Sequence, residues 1–334
     1  MKNILVTGGA GFIGSHTCVA LIKAGYSVVI ADNFSNSSRQ VLGRIQQITG
    51  HDVTCYEVDV TNKKSVRKIF DENEFYGVIH FAGFKAVGES VKKPLSYYYN
   101  NLLSTIELAQ ACIVHGVKNF VFSSSATVYG NNKAPFVETM PLMPPTNPYG
   151  ETKVMSEQIL RDTANANNGF AVALLRYFNP VGAHTSGLIG EAPRGIPNNL
   201  MPYITKVANG ELAELRVFGS DYDTVDGTGV RDYIHVMDLA EGHVAALSHL
   251  EKGVSVYNLG TGKGTSVLGL VTAFERANKI KIPYTITQRR PGDIAVCYAA
   301  TDKAEKELNW KAKRTIEDMC RDAWKFENNI KNIK

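Results

Sequence analysis

The stretch that decides the fold is residues 2–33, which read KNILVTGGAGFIGSHTCVALIKAGYSVVIADN. It contains a short apolar run that ends in glycines, a helix-like pattern that closes on Gly25, and a second apolar run. These features predict a strand, a helix and a second strand. Such a sequence forms one βαβ unit, and the crossover in a βαβ unit is right-handed.

The same alternation continues along the chain. The pattern predicts strands at 53–60, 75–83, 117–125 and 170–182, with helices at 63–72, 96–116 and 149–166. Repeated strand–helix alternation is typical of an α/β fold with a doubly wound parallel (Rossmann) sheet. Glycine and proline become frequent after residue 180. We therefore predict a Rossmann domain at 1–180 and a smaller mixed α/β lobe at 181–334, from which strands can rejoin the first sheet.

Composition narrows the possible functions. The chain is 44% hydrophobic and 20% charged, as in ordinary globular proteins, and its net charge is only +4. Because no basic block occurs, nucleic-acid binding is not expected, although a small anionic substrate would suit the charge. The sequence contains no apolar run of about 18 residues, so no membrane span is predicted and we expect a soluble, cytoplasmic protein. The five cysteines are expected in the core, and the histidines lack ligand spacing, so no metal is predicted.

The glycines Gly8, Gly11 and Gly14 lie between the first predicted strand and helix. That position is typical of a dinucleotide-binding loop, in which bare backbone and a helix N-terminus meet a pyrophosphate. Asp32 ends the second predicted strand. Its carboxylate can accept hydrogen bonds from a free ribose 2′-hydroxyl and would repel a 2′-phosphate, so NAD is favoured over NADP. Asp59 ends the next predicted strand, where it could contact the adenine or simply form a turn.

Tyr-x-x-x-Lys occurs twice, as Tyr129 with Lys133 and as Tyr149 with Lys153. The residues Gly130–Asn132 favour a turn after the first tyrosine, so that pair need not share a helix face. The second pair lies four residues apart at the start of a predicted helix, on one side of it. We therefore predict that Tyr149 and Lys153 form the reactive pair.

The helix that carries this pair should begin at Asn147 as N-cap and Pro148 as first residue. To act as a base near pH 7, Tyr149 needs a pKa about 3 units below its ordinary value, or about 4 kcal/mol of phenolate stabilisation. The Lys153 ammonium and a positively charged nicotinamide can supply this stabilisation together. Ser125 ends a preceding predicted strand, where its hydroxyl can bind the same substrate oxygen.

Long segments of the chain resemble the UDP-glucose 4-epimerase family of the extended short-chain dehydrogenase/reductase superfamily. They are HFAGFKAVGESVKKPLSYYYNN (80–101), FSSSATVYG (122–130), LLRYFNPVGAH (174–184), GIPNNLMPYI (195–204) and DGTGVRDYIHVMDLA (226–240). The resemblance implies tightly held NAD, transient oxidation of the sugar at carbon 4, rotation of the 4-keto sugar, and return of hydride to its other face. It implies Tyr149, Lys153 and Ser125 as catalytic residues.

The resemblance also implies two sets of binding residues. Those implied to contact the cofactor, besides the catalytic three, are Gly8, Gly11, Phe12, Ile13, Gly14, Asp32, Asn33, Phe34, Ser35, Asn36, Ser37, Asp59, Val60, Phe81, Ala82, Gly83, Lys85, Asn100 and Phe178. Those implied to contact the UDP-sugar, besides Ser125 and Tyr149, are Asn179, Asn199, Leu200, Phe218, Arg231, Arg290, Asp293 and Cys297. The arginines suit a diphosphate, because a guanidinium group binds phosphate in a bidentate manner.

Three alternatives are considered beside the epimerase. Related 4,6-dehydratases carry Thr-Asp-Glu where this chain has Ser125-Ala126-Thr127, so the acids for elimination are missing. A nucleotide-sugar decarboxylase is disfavoured by the NNLMPYI and RDYIHV segments. A non-catalytic dinucleotide sensor would be expected to lack Tyr149 or Lys153.

Substrate breadth and assembly follow from the resemblance alone. In the family, the residue beside carbon 2 of the sugar is a tyrosine in members that exclude N-acetylated sugars, and a small residue in members that admit them. Our alignment puts Cys297 there, which predicts activity on UDP-N-acetylglucosamine and UDP-N-acetylgalactosamine. A slip of one residue would put Tyr298 there and reverse the prediction. A homodimer packed through the helix near residues 96–115 is also implied.

Overall fold

The computed structural model describes residues 1–195, 197–290 and 292–332, so the end of the predicted lobe at 334 lies outside the described residues. The strands are β1 (Asn3–Thr7), β2 (Ser27–Asp32), β3 (Thr54–Glu57), β4 (Gly77–His80), β5 (Asn119–Ser123), β6 (Ala171–Tyr177), β7 (Asn179–Val181), β8 (Leu215–Phe218), β9 (Val230–Arg231), β10 (Tyr233–His235), β11 (Gly253–Leu259), β12 (Thr265–Ser266), β13 (Tyr284–Thr287) and β14 (Val296–Cys297).

The helices pack around these strands. They are α1 (Phe12–Lys23), α2 (Gln40–Thr49), α3 (Lys63–Glu72), α4 (Val87–Lys92), α5 (Pro94–Val114), α6 (Pro148–Ala166), α7 (Leu200–Ala208), α8 (Val236–Ser248), α9 (Val267–Asn278), α10 (Asp302–Leu308) and α11 (Ile316–Asn332), with a 3₁₀ turn at Ala126–Tyr129. Within the described ranges, none of these helices is long and apolar enough to cross a membrane.

Seven strands form one parallel sheet in the order β11-β6-β5-β4-β1-β2-β3. Chain order reverses between β1 and β4, which is the topological switch point where α/β proteins bind ligands. The predicted doubly wound parallel sheet is confirmed.

Both faces of the sheet are covered by helices, which explains why its strands read as continuous apolar runs. Ile4 and Val6 on β1 are fully buried in a cluster that includes Leu239 of α8. Leu5 points to the opposite face, where it shares a second cluster with Leu108 of α5. Successive side chains of one strand therefore anchor two separate helical layers.

The second half of the chain contributes to both regions. β11 pairs in parallel with β6 along its whole length, and α8 packs on α1, so residues after 180 complete the sheet and one of its helical layers. A third core cluster, which includes Ile204, Phe274 and Cys320, joins α7, α9 and α11 in the smaller lobe.

The main differences from the predicted elements are local. The strand predicted at 53–60 ends at Glu57, so Asp59 lies two residues beyond it. The strand predicted at 170–182 is interrupted at Phe178, which divides β6 from β7. Helices α2, α4, α9, α10 and α11 and the 3₁₀ turn were not predicted from the sequence. The helix predicted at 63–72 has the same bounds as α3.

Candidate active site

The glycine loop connects β1 to α1 and admits no side chain at two positions. Gly8 has φ +69°, and a Cβ there would lie 2.8 Å from the Ala82 amide nitrogen. A Cβ at Gly14 would lie 2.2 Å from the Gly8 carbonyl oxygen, which is far inside van der Waals contact. Since Gly11 precedes the helix and has no side chain, it cannot cap the first-turn amides of α1. The loop therefore fits the pyrophosphate of a dinucleotide.

Asp32 ends β2 beside this loop and is 8% exposed. Its Oδ2 accepts a hydrogen bond from the Ala10 amide at 3.0 Å. Its Oδ1 accepts from the Phe34 amide and from Ser37 Oγ, both at 2.9 Å. The carboxylate thus connects the glycine loop to the following loop, and a contact between Asp32 and a ribose hydroxyl stays a prediction. Arg39, a nearby cation, is paired with Glu57.

The other predicted cofactor residues lie on the loops after β3 and β4. Asp59 accepts hydrogen bonds from the Thr61 amide and hydroxyl, at 2.9 and 2.7 Å, and so forms a turn. Val60 is buried in the core. Lys85, near the end of the 81–85 segment, reaches Glu191 Oε1 at 3.3 Å. An adenine contact for Asp59 remains a prediction.

Asn101 is the principal residue that the sequence analysis missed. Its side chain is buried and binds both backbone groups of Phe84, accepting from the amide at 2.8 Å and donating to the carbonyl at 3.0 Å. It also donates to Thr152 Oγ1 at 3.0 Å, and Thr152 donates to the Tyr149 carbonyl at 2.7 Å. The predicted neighbour Asn100 donates to the Asn101 side chain. An asparagine within a predicted helix is the only sequence signal for this bridging role. The groups that Asn101 bridges lie far away in the chain, so the sequence does not indicate them.

The first turn of α6 places Tyr149 and Lys153. Asn147 Oδ1 accepts from the Gly150 amide at 3.0 Å, and Pro148 is the first helical residue, as predicted. Tyr149 is 9% exposed and Lys153 is 7% exposed. Lys153 Nζ lies 5.9 Å from the centre of the Tyr149 ring and donates to the Ser123 carbonyl at 2.7 Å. The second Tyr-x-x-x-Lys pair therefore shares a buried face.

The first pair is divided, as the turn residues indicated. Tyr129 is fully buried, and its hydroxyl donates to Asn258 Oδ1 at 2.7 Å. Gly130 follows with φ +56°, and Lys133 is exposed. Tyr129 is thus a core residue.

Burial shifts the pKa values of Tyr149 and Lys153 in opposite directions. Burial raises the pKa of Tyr149, and a hydrogen bond from Ser125 opposes that rise. Burial lowers the pKa of Lys153 to about 8, against the raising effect of the Glu157 carboxylate. The sequence predicted a lowered tyrosine pKa from Lys153 and a bound nicotinamide together. The polypeptide alone gives the opposite direction, because desolvation of the phenolate dominates.

Three consecutive serines at the end of β5 are each fixed by a partner. Ser123 Oγ lies 2.6 Å from the Tyr177 hydroxyl, and Ser124 Oγ donates to Glu157 Oε1 at 2.6 Å. Ser125 Oγ accepts from the amide of Thr127 at 3.2 Å. Glu157 stands one helical turn after Lys153, so the same helix that carries the lysine also holds the serine run.

Glu157 is itself held by Arg176 of β6. Arg176 Nε donates to Oε1 at 2.9 Å and Nη2 donates to Oε2 at 2.6 Å, while both side chains are at most 2% exposed. The pair joins α6 to the sheet at the edge where Ser125 lies.

The predicted UDP-sugar residues lie at four places in the fold. Phe218 ends β8, the Arg290 guanidinium lies 3.9 Å from its ring centre, and the Asp293 amide donates to the Arg290 carbonyl. Arg231 and Cys297 are register partners on β9 and β14. The remaining members lie at the start of β7 and of α7; they are Asn179, Asn199 and Leu200.

Contacts connect some of these residues to other predicted site residues. Cys297 packs on a cluster that contains Phe178 and Ala126, the residue after Ser125. Asn199 Nδ2 donates to Glu191 Oε1 at 2.6 Å, and the predicted cofactor residue Lys85 binds that same oxygen. The described residues hold no cluster that could ligate a metal.

The Rossmann sheet, the glycine loop and the Tyr–Lys–Ser arrangement define a class of NAD-dependent enzymes. A family model described as the NAD dependent epimerase/dehydratase family matches residues 4–260, and the chain belongs to that family. The predicted NAD cofactor agrees with this membership.

Full-length relatives identify the branch of the family. The chain is 58% identical over 332 residues to UDP-glucose 4-epimerase of Bacillus subtilis, covering 98% of both chains. The structure of UDP-glucose 4-epimerase from Bifidobacterium longum, in complex with NAD⁺ and UDP, is 56% identical with a TM-score of 0.96 and covers 99% of both chains. The Stenotrophomonas maltophila enzyme, with bound NAD and formylated UDP-arabinopyranose, is 48% identical with a TM-score of 0.97 over 100% of both chains. The predicted resemblance to UDP-glucose 4-epimerases is confirmed.

The buried Glu157–Arg176 pair yields a stability prediction. Glu157→Gln leaves the Arg176 charge buried without a counter-ion, so the free energy of unfolding should fall by about 3–5 kcal/mol. Urea denaturation measures this change. Arg67→Gln, which removes the exposed Arg67–Asp71 pair, is the control and should change stability by less than about 0.5 kcal/mol. Equal losses of unfolding free energy in the two variants would contradict the importance of the buried Glu157–Arg176 pair.

Proposed function

We propose that the protein interconverts UDP-galactose and UDP-glucose by epimerisation at carbon 4 of the sugar. The observation that carries the proposal is the buried Tyr149–Lys153 pair facing Ser125, at the carboxyl edge of the sheet and beside the glycine loop. Bound NAD supplies the acceptor, and later the donor, of the hydride at carbon 4. The chain supplies binding, orientation and proton transfer.

Tyr149 holds and moves the proton. Its phenolate oxygen takes the proton of the sugar 4-hydroxyl and later returns it to the 4-keto oxygen after the sugar has turned over. Because burial raises the pKa of Tyr149, the phenolate needs positive charge nearby. Lys153 provides one such charge, and Ser125 aligns the reacting oxygen through its hydroxyl. The overall epimerisation involves no net oxidation or reduction, because the hydride that leaves carbon 4 is later returned to it.

The other predicted residues bind the two ends of the ligands. Arg231 and Arg290 suit the two phosphates of UDP, since each guanidinium offers several donors in a fixed plane. Phe218, against which Arg290 stacks, provides a flat apolar surface for the uracil side. Gly8 to Gly14 and Asp32 hold the pyrophosphate and the adenosine ribose of NAD.

The first test gives the purified protein UDP-galactose without added NAD, and chromatography detects UDP-glucose. Conversion supports epimerisation with a retained cofactor. No conversion even with added NAD would refute the proposal, and loss of one water from the sugar nucleotide would indicate a dehydratase instead.

A matched pair of lysine variants locates the reactive pair within this test. Lys153→Met should reduce kcat by about 10²-fold or more, because the charge that favours the phenolate is lost. Lys133→Met removes the exposed lysine of the other Tyr-x-x-x-Lys copy and should leave kcat unchanged. Steady-state kinetics measure both. A similar loss in both variants would contradict the choice of Tyr149 and Lys153.

We further propose that N-acetylated UDP-hexoses are substrates. Cys297 packs on the cluster beside Ser125, whereas the ring of Tyr298 lies near Gly264. Cys297 ends β14 and Tyr298 follows it directly, and neighbouring residues of extended backbone point to opposite sides. This arrangement favours Cys297 as the residue beside carbon 2 and leaves room for an acetamido group.

Cys297→Tyr should fill that room. We expect kcat/KM for UDP-N-acetylgalactosamine to fall about 10- to 100-fold, while that for UDP-galactose changes by less than about threefold. Cys297→Ala, which keeps the space, should retain both activities. Undiminished N-acetyl activity in Cys297→Tyr would refute the proposal.

We also propose that two copies of the chain pair through α5. This helix exposes Leu95, Tyr99 and Ile106 by 81%, 68% and 41%, at spacings that line one face, and Met155 of the adjacent α6 is 38% exposed. A contiguous apolar helical face of this kind is typical of a subunit interface. A second copy is the partner that the family resemblance implies.

Sedimentation equilibrium should therefore give twice the chain mass of 36.6 kDa. Replacing both Leu95 and Tyr99 by glutamate should give the monomer, because charge would be buried without a partner. Val225→Glu, at a fully exposed apolar residue elsewhere, is the control and should remain dimeric. A wild-type monomer would contradict the proposal.

A further inference from the structure

An arginine from the second half of the chain holds the loop that follows β2. Arg194 Nη1 donates to the Ser35 carbonyl at 3.0 Å, and Nη2 donates to the carbonyls of Phe34 and Ser37 at 3.1 and 3.0 Å. One guanidinium can bind three carbonyls of a single turn because its N–H groups fan out in one plane. We call residues 33–37 the adenosine loop, after the cofactor contacts predicted for them.

The adenosine loop needs such a support. Phe34 has φ +53°, a conformation that a residue with a large side chain rarely adopts. Asp32 holds the loop from the sheet side, through the Phe34 amide and Ser37 Oγ. Arg194 holds the carbonyls of the same residues from the other side. The loop is thus fixed between a carboxylate that binds its donors and a guanidinium that binds its acceptors.

A second contact joins the same two parts of the chain. Arg44 of α2, the helix that follows the adenosine loop, donates from Nη1 to the Leu188 carbonyl at 3.4 Å. Arg194 and Arg44 therefore cross in opposite directions between residues 34–44 and residues 188–194. Because two different arginines join these two segments, the contact between the segments does not depend on one exposed side chain alone.

We propose that Arg194 is a positioning residue that keeps the adenosine loop closed and thereby slows the release of bound NAD. The inference rests on the proposed function for the identity of the cofactor. In the proposed function, this loop and the glycine loop would hold the adenosine end of the cofactor, so release of the cofactor would require the adenosine loop to move. Movement of the loop requires the three Arg194 hydrogen bonds to break together.

The test follows cofactor exchange in the holoenzyme. The purified protein is mixed with excess isotopically labelled NAD, and native mass spectrometry follows replacement of the unlabelled cofactor. Arg194→Gln should exchange about tenfold faster than the wild type, as expected for the loss of hydrogen bonds to a charged donor. Arg216→Gln, at an exposed arginine on β8, is the matched control and should exchange at the wild-type rate.

Arg194→Lys separates loop support from simple charge attraction. Lysine keeps the positive charge but not the planar fork, so this variant should also exchange faster than the wild type. Exchange at the wild-type rate in Arg194→Lys would show that only charge matters and would overturn the proposal. Exchange at the wild-type rate in Arg194→Gln would overturn it as well.

Hydrogen–deuterium exchange of the peptide covering residues 33–37 gives a readout that does not depend on catalysis. Its amides should exchange faster in Arg194→Gln than in Arg216→Gln, while the core strands stay equally protected. Equal protection in the two variants would overturn the proposal even if epimerisation is observed. If the protein fails to epimerise but the loop is loosened, the proposed function fails and the loop contact stands.

Discussion

The ion pair between Glu157 and Arg176 is almost completely removed from water, and the geometry of the proposed catalytic residues depends on it. Glu157 lies on the same helix as Tyr149 and Lys153, while Arg176 lies on the strand beside the serine run. A buried pair of this kind gives little net stability compared with apolar residues, but a misplaced partner is costly. The pair joins α6 to β6 directly beside the serine run. Ser124, which donates to Glu157, brings the backbone of Ser125 into the same arrangement.

This arrangement creates a conflict that the cofactor must resolve. Burial raises the pKa of Tyr149 and lowers that of Lys153 to about 8, so desolvation disfavours both charged forms. The carboxylate of Glu157 favours the lysine ammonium, and the Ser125 hydroxyl favours the phenolate. These groups offset the cost of burial only in part, because the tyrosine pKa remains raised. In the proposed function, a bound nicotinamide would add the further positive charge that the Tyr149 phenolate needs.

The sequence predicted those parts of the fold that local patterns determine. Asn147 and Pro148 marked the start of α6, and the glycine loop marked the start of α1, because caps and tight turns act within a few residues. The family resemblance supplied most of the predicted binding residues, which stay predictions. The return of a later strand to the first sheet was predicted, but its pairing with β6, the partners of Asn101 and the contacts of Arg194 could not be predicted. Each depends on residues more than a dozen positions away, whose approach is decided by packing of the whole chain.

The proposal for Cys297 depends on the register of β14, which ends at that residue. Cys297 and Tyr298 are adjacent, so a shift of one residue exchanges which of them faces the proposed sugar site. Hydrogen bonds on both sides fix the register, since the Asp232 amide donates to the Cys297 carbonyl and the Phe136 amide donates to the Tyr298 carbonyl. Exchange of the two faces would require both bonds to break and the tyrosine ring to enter the cluster around Phe136 and Phe178. The proposal therefore rests on Cys297, which contacts that cluster, facing the sugar while Tyr298, which lies near Gly264, faces away.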